Sequence, residues 1–413
     1  MEQYLLFIES NTTGTGMIAI VRAKELGFSP IFITNNPQRY KGLTETECKV
    51  IQCDTHSLSE IQQAITEKIE TNHIAGITTT SDFYLETVAQ LQKIYQLPGN
   101  SPEAIRACRH KGLMRQALER SPLIQPRFMM VRSVEEWENA ARYMTFPCIV
   151  KPVDDSGSNE VKLCHHMKEV SEQVSRIVAI QANVRGQATA QTALIEEYLE
   201  GPEYSVEMFS DQQGTHCIGI TQKEVMGKPY FVECGHLFPA LLSKVQEQQI
   251  IEAVQTALEI VGYQFGPSHT EVRWTAQGPA IIEINARLAG GMIPELIRLA
   301  TGMDLLEQQI LTATGKNVEL SHENKRVAGI TFIMADQLGV LTDYQGTELA
   351  EQVAGIQLVK LTATKGSQVL PPQNAYHRLG YLIAAGDSHQ QVQQSLAQAT
   401  TKIQLHIEHH KEG

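Results

Sequence analysis

The sequence predicts an α/β protein, α+β in parts, made of several domains. Three observations carry that expectation. The first hundred residues alternate short apolar runs with helically spaced stretches, as parallel βαβ units do. Later residues add short strands rich in Val, Ile and Phe, separated by turn residues, together with strongly helical stretches. Finally, 413 residues at 42% hydrophobic and 19% charged supply the apolar material for large cores and the length for two to four domains.

Residues 4–9, 30–34, 50–53 and 76–80 read as strands, with helices at 17–26 and 57–71 between them. The turn 99–102 (GNSP) closes this stretch. A helix over 102–119 follows, and then strands at 146–151 (FPCIVK) and 193–197 (ALIEE). From 204 to 314 strands mix with two helices, at 244–261 and 294–314. Beyond 327 come strands at 329–335, 355–362 and 377–384 and an amphipathic helix at 390–403. There is no repeat with a period of about 20–50 residues and no low-complexity tract.

Composition narrows the function. The formal charge of −12, from 34 Lys+Arg against 46 Asp+Glu, disfavours a broad basic face, so no nucleic-acid partner is expected. No apolar run approaches about 18 residues, which argues against a membrane span. No basic region precedes the first apolar run, as a secretory signal would require. Seven Cys without a CxxC read as free thiols in a reducing compartment, and a cytoplasmic location is expected. A dinucleotide site at 12–16 (TTGTG) lacks the third glycine, and Asn35 and Asn36 stand where an acid is needed. The pairs His165–His166 and His409–His410 lack zinc-ligand spacing.

The chemistry concentrates in 268–287, SHTEVRWTAQGPAIIEINAR. This reads as a hairpin turning at 277–279. Glu283 and Asn285 are two apart on one strand and face the same way. Cross-strand pairing brings Glu271 beside them. Ile281, Ile282 and Ile284 make the strand a buried one, and buried acids need a cation. Two carboxylates and an amide oxygen suit Mg²⁺, which takes hard oxygen ligands and shares its shell with phosphates.

On these residues the chain resembles the ATP-grasp superfamily, whose Glu, then Glu-x-Asn-x-Arg, matches Glu271, Glu283, Asn285 and Arg287. The resemblance implies ATP and two Mg²⁺ ions, with Mn²⁺ as an alternative, held by Glu271, Glu283 and Asn285, while Arg287 stabilises the transferred phosphoryl group. It implies that Lys111 and Lys151 hold ATP phosphates, and that 154–159 (DDSGSN), with Ser156, Gly157 and Ser158, closes over them. Such a string is by itself also an ordinary turn. In EEYLEGPEYSVE, Glu196, Glu197, Tyr198 and Leu199 match the adenine-binding hinge, and Glu203 the acid that takes the ribose hydroxyls. The implied architecture is an N-terminal Rossmann-like domain (1–100), a central ATP-grasp lobe (101–200), a C-terminal lobe with the metal residues (201–316) and an appended α/β lid-like domain (317–413).

Three strings, SHTEV, CGHLFPA and EINARLAGGMIP, further resemble the L-amino-acid ligases. That resemblance implies ligation of an amino acid, or similar small carboxylate, to an amine-bearing amino acid through an acyl phosphate. Arg287 and the N–H groups of Gly290 and Gly291 would hold the carboxyl group and oxyanion. His236 falls where those ligases hold a His near the acceptor, and a structural His is the other reading. Asp82 and Glu86 could take the first substrate's amine, or be the acids a helix start favours anyway. Residues 185–192 (RGQATAQT) form a second candidate closing loop. A carboxylase-type or purine-pathway ligase shares the Glu-x-Asn-x-Arg pattern and is the alternative. A homodimer is the expected assembly, since dimers are commonest.

Overall fold

The structure, a computed structural model, describes residues 2–12, 15–226, 229–321, 323 and 325–408. Thr13 and Gly14 of the TTGTG string and the His409–His410 pair lie outside the described residues.

Residues in the first hundred form a four-stranded parallel sheet in the order Lys49–Gln52, Ser29–Thr34, Tyr4–Ile8, Ile74–Thr78. Its strands are apolar on both faces because helices cover both. Leu6, Ile8, Ile31 and Ile33 pack against Ile61 and Ile65 of the helix Leu58–Lys68. The alternate residues Leu5, Phe7 and Phe32 enter the largest core, with Leu296 and Ile297 of the helix Ile293–Thr301. The period of two thus joins the N-terminal sheet to the later part of the chain.

A second, antiparallel sheet orders Phe128–Val131, Ala193–Glu197, Cys148–Pro152, Lys162–Cys164. Trp137, Val170 and Val174 fill its helix-covered face. The third sheet has eight antiparallel strands: Gly278–Asn285, Gly266–Thr275, Glu203–Asp211, Gly214–Met226, Val232–Phe238, Val327–Met334, Arg378–Gly386 and Ile356–Leu361. Its last three strands come from beyond residue 316, so the C-terminal stretch continues the sheet that carries the metal-type residues. A small sheet of Gln368–Val369, Gly339–Gln345 and Gln404–Glu408 and the helix His389–Thr400 complete that stretch. Among the described residues no helix is long and apolar enough to cross a membrane, and all seven cysteines are free thiols.

Two expected long helices are each broken. The stretch 102–119 is two helices, Pro102–Arg109 and Lys111–Leu118. His110 between them is extended, and its Nδ1 accepts from Leu113 N at 3.2 Å, capping the second helix. The stretch 294–314 divides into Ile293–Thr301 and Leu305–Ala313 at Gly302, whose φ of 85° a side chain would disfavour. Asp304 restarts the helix by accepting from Leu306 N and Glu307 N at 3.0 and 3.2 Å, and also pairs with Arg22 at 2.7 Å. Asp304→Ala is expected to cost about 1–2 kcal/mol in urea denaturation, with ATP turnover per folded molecule unchanged.

Candidate active site

Around Glu203 the eight-stranded sheet buries one face and sets polar groups on the other. In Glu203–Asp211, Tyr204, Val206 and Met208 enter a core with Val254 and Leu258, which leaves Glu203, Ser205 and Glu207 on the opposite face. Register places Glu271 opposite both Ser205 and Glu283, His269 opposite Glu207 and Asn285, and Lys223 opposite Glu203 and His236. A bulge after Glu271 shifts the pairing by one residue, which lets both Ile281 and Ile284 reach the core while Glu283 and Asn285 stay on the polar face.

Lys223 is the centre of this face. Its Nζ lies 2.9 Å from Glu203, 2.7 Å from Glu233 and 2.8 Å from Glu271. Burial alone would lower its pKa, but the three carboxylates raise it well above the ordinary lysine value. Each acid has a second cation: Arg273 on Glu203 at 2.5 Å, Arg378 on Glu233 at 2.8 Å and His269 Nε2 on Glu271 at 3.6 Å. Against burial, Lys223 and His269 hold Glu271 far below the usual carboxylate range. His269 donates towards Glu207 at 3.0 Å, and its pKa is about 9 because the carboxylates outweigh burial. Sequence reading missed Lys223 and Glu233; ITQKEV, polar at four of its six positions, carries no local signal of a buried lysine.

Lys111 Nζ sits 3.2 Å from Glu283 and donates to the Asp155 carbonyl at 2.6 Å. The break at His110 makes Lys111 the first residue of its helix, with its N–H on the Val153 carbonyl at 2.8 Å. Among the described residues no three His, Cys, Asp or Glu side chains gather as a metal cluster. The fit of a divalent cation therefore turns on Glu271, Glu283 and the Asn285 amide. Glu283 and Glu271 each face an ammonium group, Lys111 and Lys223, and with the Asn285 amide they are hard oxygen donors of the kind a divalent cation takes.

One turn beyond Lys111, the fully buried Arg115 was also missed. Its Nε donates to Glu196 at 2.6 Å, and its two Nη atoms donate to the Ile281 and Ile282 carbonyls at 2.7 and 2.8 Å. Lys151 takes the other Glu196 oxygen at 2.6 Å. Glu196 is thus engaged by two internal cations instead of facing a ligand, which differs from the adenine-edge expectation. Glu197 is half-buried and meets Arg127 at 3.3 Å. The Leu199 carbonyl accepts from Arg273 at 2.8 Å, and the Tyr198 ring stacks on Phe231, 5.6 Å between centroids.

The expected phosphate loop has a built shape. Asp155 accepts from Ser156 N and from Asn159 Nδ2, each at 2.8 Å. Gly157 takes φ 72°, the left-handed region that glycine enters without penalty, and Ser158 follows at 57°. Residues 185–192 back this loop, Ala190 N reaching Asp154 at 2.7 Å. Expected as a closing loop, that stretch is instead clasped to the N-terminal sheet. Arg185 is buried, donating to the Ser10 carbonyl at 2.6 Å and the Tyr40 hydroxyl at 3.2 Å. Tyr40 in turn donates to the buried Glu9, which also accepts from Thr34, Asn35 N and Thr55.

Arg287 Nε donates to Asp82 at 2.6 Å, across 205 residues of sequence. Burial would raise the Asp82 pKa; Arg287 and Arg109 outweigh it, and the net direction is down. Glu86 pairs instead with Arg106 on an exposed surface. His236 is buried, and among the described residues neither ring nitrogen has a hydrogen-bond partner. Burial lowers its pKa to about 3 despite Glu233 at 3.6 Å, so it is neutral at pH 7. A Cβ on Gly291 would fall 2.5 Å from His236 Nε2, so glycine alone lets that ring and the Gly290–Gly291 turn approach.

An ATP-grasp domain matches residues 144–295, and L-amino acid ligase C-terminal domain 2 matches 331–408. The chain carries an ATP-grasp domain and the L-amino acid ligase type of C-terminal domain, and it is an enzyme of the ATP-grasp ligase type. It is similar to the uncharacterized protein y4rH of Sinorhizobium fredii, 29% identical over 98% of this chain and 84% of that one. It is also similar to the alanine–anticapsin ligase of Bacillus subtilis, 26% identical over 63% of this chain and 58% of that one. The crystal structure of L-amino acid ligase from Bacillus licheniformis shares its fold, with a TM-score of 0.82, 21% identity, and 98% and 99% of the two chains covered.

The Glu196 cluster makes a pH prediction. Burial pushes its pKa up, but Arg115 and Lys151 more than offset this and bring it to about 2, below the ordinary 4.5. A depressed carboxylate stabilises the fold above its unfolded pKa and loses that contribution as pH falls. Stability is therefore expected to fall between pH 4.5 and about 2. In Glu196→Gln that slope should flatten in urea titrations, while stability at pH 7 drops by about 3–5 kcal/mol because Arg115 is left buried and uncompensated.

Proposed function

We propose that this enzyme is an ADP-forming carboxylate–amine ligase that joins an amino acid, or a similar small carboxylate, to an amine-bearing amino acid. The observation that carries the reading is the polar sheet face, where Glu271, Glu283 and Asn285 stand beside Lys111 and Lys223. Glu271, Glu283 and Asn285 hold Mg²⁺, which, when bound, neutralises charge on the triphosphate and its transition state. Lys111 and Lys151 hold phosphates, and the N–H groups of Ser156, Gly157 and Ser158 line the loop above them. Tyr198 and Leu199 border the base, with Glu197 at the hinge, and Glu203 takes the ribose hydroxyls. Glu196 acts through Lys151 and Arg115, as a positioning residue.

A carboxylate oxygen of the first substrate attacks the γ-phosphorus, and ADP leaves. The second substrate's amine then attacks the acyl carbon. The carbon–oxygen bond to phosphate breaks, and the amine loses a proton as phosphate departs. Arg287, aimed by Asp82, holds the carboxyl group. The N–H groups of Gly290 and Gly291 meet the oxyanion. Neutral His236 donates or accepts one hydrogen bond to the amine or the tetrahedral carbon's oxygen; being neutral, it adds no charge to repel an incoming ammonium. The four-part division at residues 100, 200 and 316, a cytoplasmic location and a homodimer belong to the same proposal, with small molecules as its partners.

The test is phosphate release from ATP and Mg²⁺ across amino acids offered singly and in pairs, with mass spectrometry of the products. Release that needs a pair, with a new mass equal to the two less water, is expected. Release supported by a single carboxylate or by bicarbonate, with no amide mass, overturns the reading. Glu283→Gln should lower turnover by about two to three orders of magnitude with an unchanged circular dichroism spectrum.

A further inference from the structure

The segment entering the strand Arg378–Gly386 runs between the phosphate loop and the acidic cluster, and nothing in the reaction above uses it. It follows Pro371 and Pro372, whose fixed φ angles limit the freedom it must lose. It is braced within itself: Asn374 Oδ1 accepts from Tyr376 N at 2.9 Å, and His377 Nδ1 accepts from Gln373 N at 3.0 Å. At one end it touches the phosphate loop. Ala375 N donates to the Gly157 carbonyl at 3.4 Å. The Tyr376 ring lies so close that a Cβ on Gly157 would be 3.4–3.6 Å from its edge and hydroxyl. At the other end it grips the acidic cluster, where Arg378 donates to the Glu233 carbonyl and carboxylate at 3.0 and 2.8 Å. The same guanidinium lies 3.7 Å over Phe332, the ring that His236 meets edge-on.

Tyr376 is 56% exposed. A large ring left outside a core, seated on a glycine of the loop, has little to do with stability. Its hydroxyl stands at the phosphate loop, 3.5 Å from where a Cβ on Gly157 would be.

We propose that residues 373–378 are a strap, contributed by the C-terminal part of the chain, that covers the phosphate loop and keeps water from the activated acyl group. Tyr376 is the shielding residue, and Arg378 ties the strap to Glu233. The proposal rests on the ligase reading. Without the shield, water replaces the amine: its oxygen bonds to the acyl carbon, the carbon–oxygen bond to phosphate breaks, and the carboxylate is regenerated with loss of two protons. The net result is ATP hydrolysis without an amide.

The experiment measures phosphate released per amide formed in the full-length wild type, Tyr376→Ala, Tyr376→Phe and Asn374→Ala, with thermal midpoints as the folding control. Wild type and Tyr376→Phe are expected near one phosphate per amide. Tyr376→Ala should release about threefold more or higher, and Asn374→Ala, which loosens the brace without touching the loop, should shift the same way. Wild-type ratios in both alanine variants overturn the strap, as does a phenylalanine variant that leaks as much as alanine. A wild type that forms no amide with any pair sinks the ligase reading alone. The strap is then judged on phosphate release from ATP and Mg²⁺ without added substrate, where an unchanged rate in Tyr376→Ala overturns it.

Discussion

An ammonium group removed from water is tolerable only where carboxylates replace its hydration, and carboxylates crowded together are tolerable only around a cation. Lys223 and its three acids meet both conditions at once. Arg273, Arg378 and the charged His269 complete the balance, giving four cations for four carboxylates once Glu207 is counted. Because those acids sit on three different strands, the ammonium also fixes the spacing of the polar face. A site balanced in this way can admit a nucleotide whose own charge is matched by its metal ions, without a large electrostatic penalty.

Cations of this kind also hold the lobes together. Arg115 reaches from a helix to Glu196 in one sheet and to the backbone of the Glu283 strand in another. Asp82, at the carboxyl edge of the N-terminal sheet, holds Arg287. Arg287 is therefore aimed by a residue from another part of the fold, which is one way to hold a side chain to the tolerances that transfer chemistry needs.

The hairpin was readable from sequence because its information is local. Two acids and an amide at a period of two, within a run of isoleucines, define a buried polar face without knowledge of anything else. The strand–helix alternation at the start was readable for the same reason. Lys223, Glu233 and Arg115 were not, since each is defined by partners on other strands, and the Arg115–Glu196 contact spans 81 residues. Asp82 was singled out for an amine and is found on Arg287, because a helix-start acid carries no mark of the cation it will meet. The breaks at His110 and Gly302 were missed because apolar periodicity ran through both, and only cap geometry distinguishes one long helix from two.

Arg185 has a consequence for how the chain can be divided. In open parallel sheets, the crevice beyond the strands' carboxyl ends is where ligands ordinarily settle. Here the chain's own guanidinium fills part of it, held by the Ser10 carbonyl and the Tyr40 hydroxyl. The N-terminal sheet is consequently no detachable cassette. Severed near residue 100, it would keep a prepared socket with no plug, while the remainder would carry an orphaned arginine and an untethered backing for its phosphate loop. Each part thus completes a buried hydrogen-bond group that the other begins.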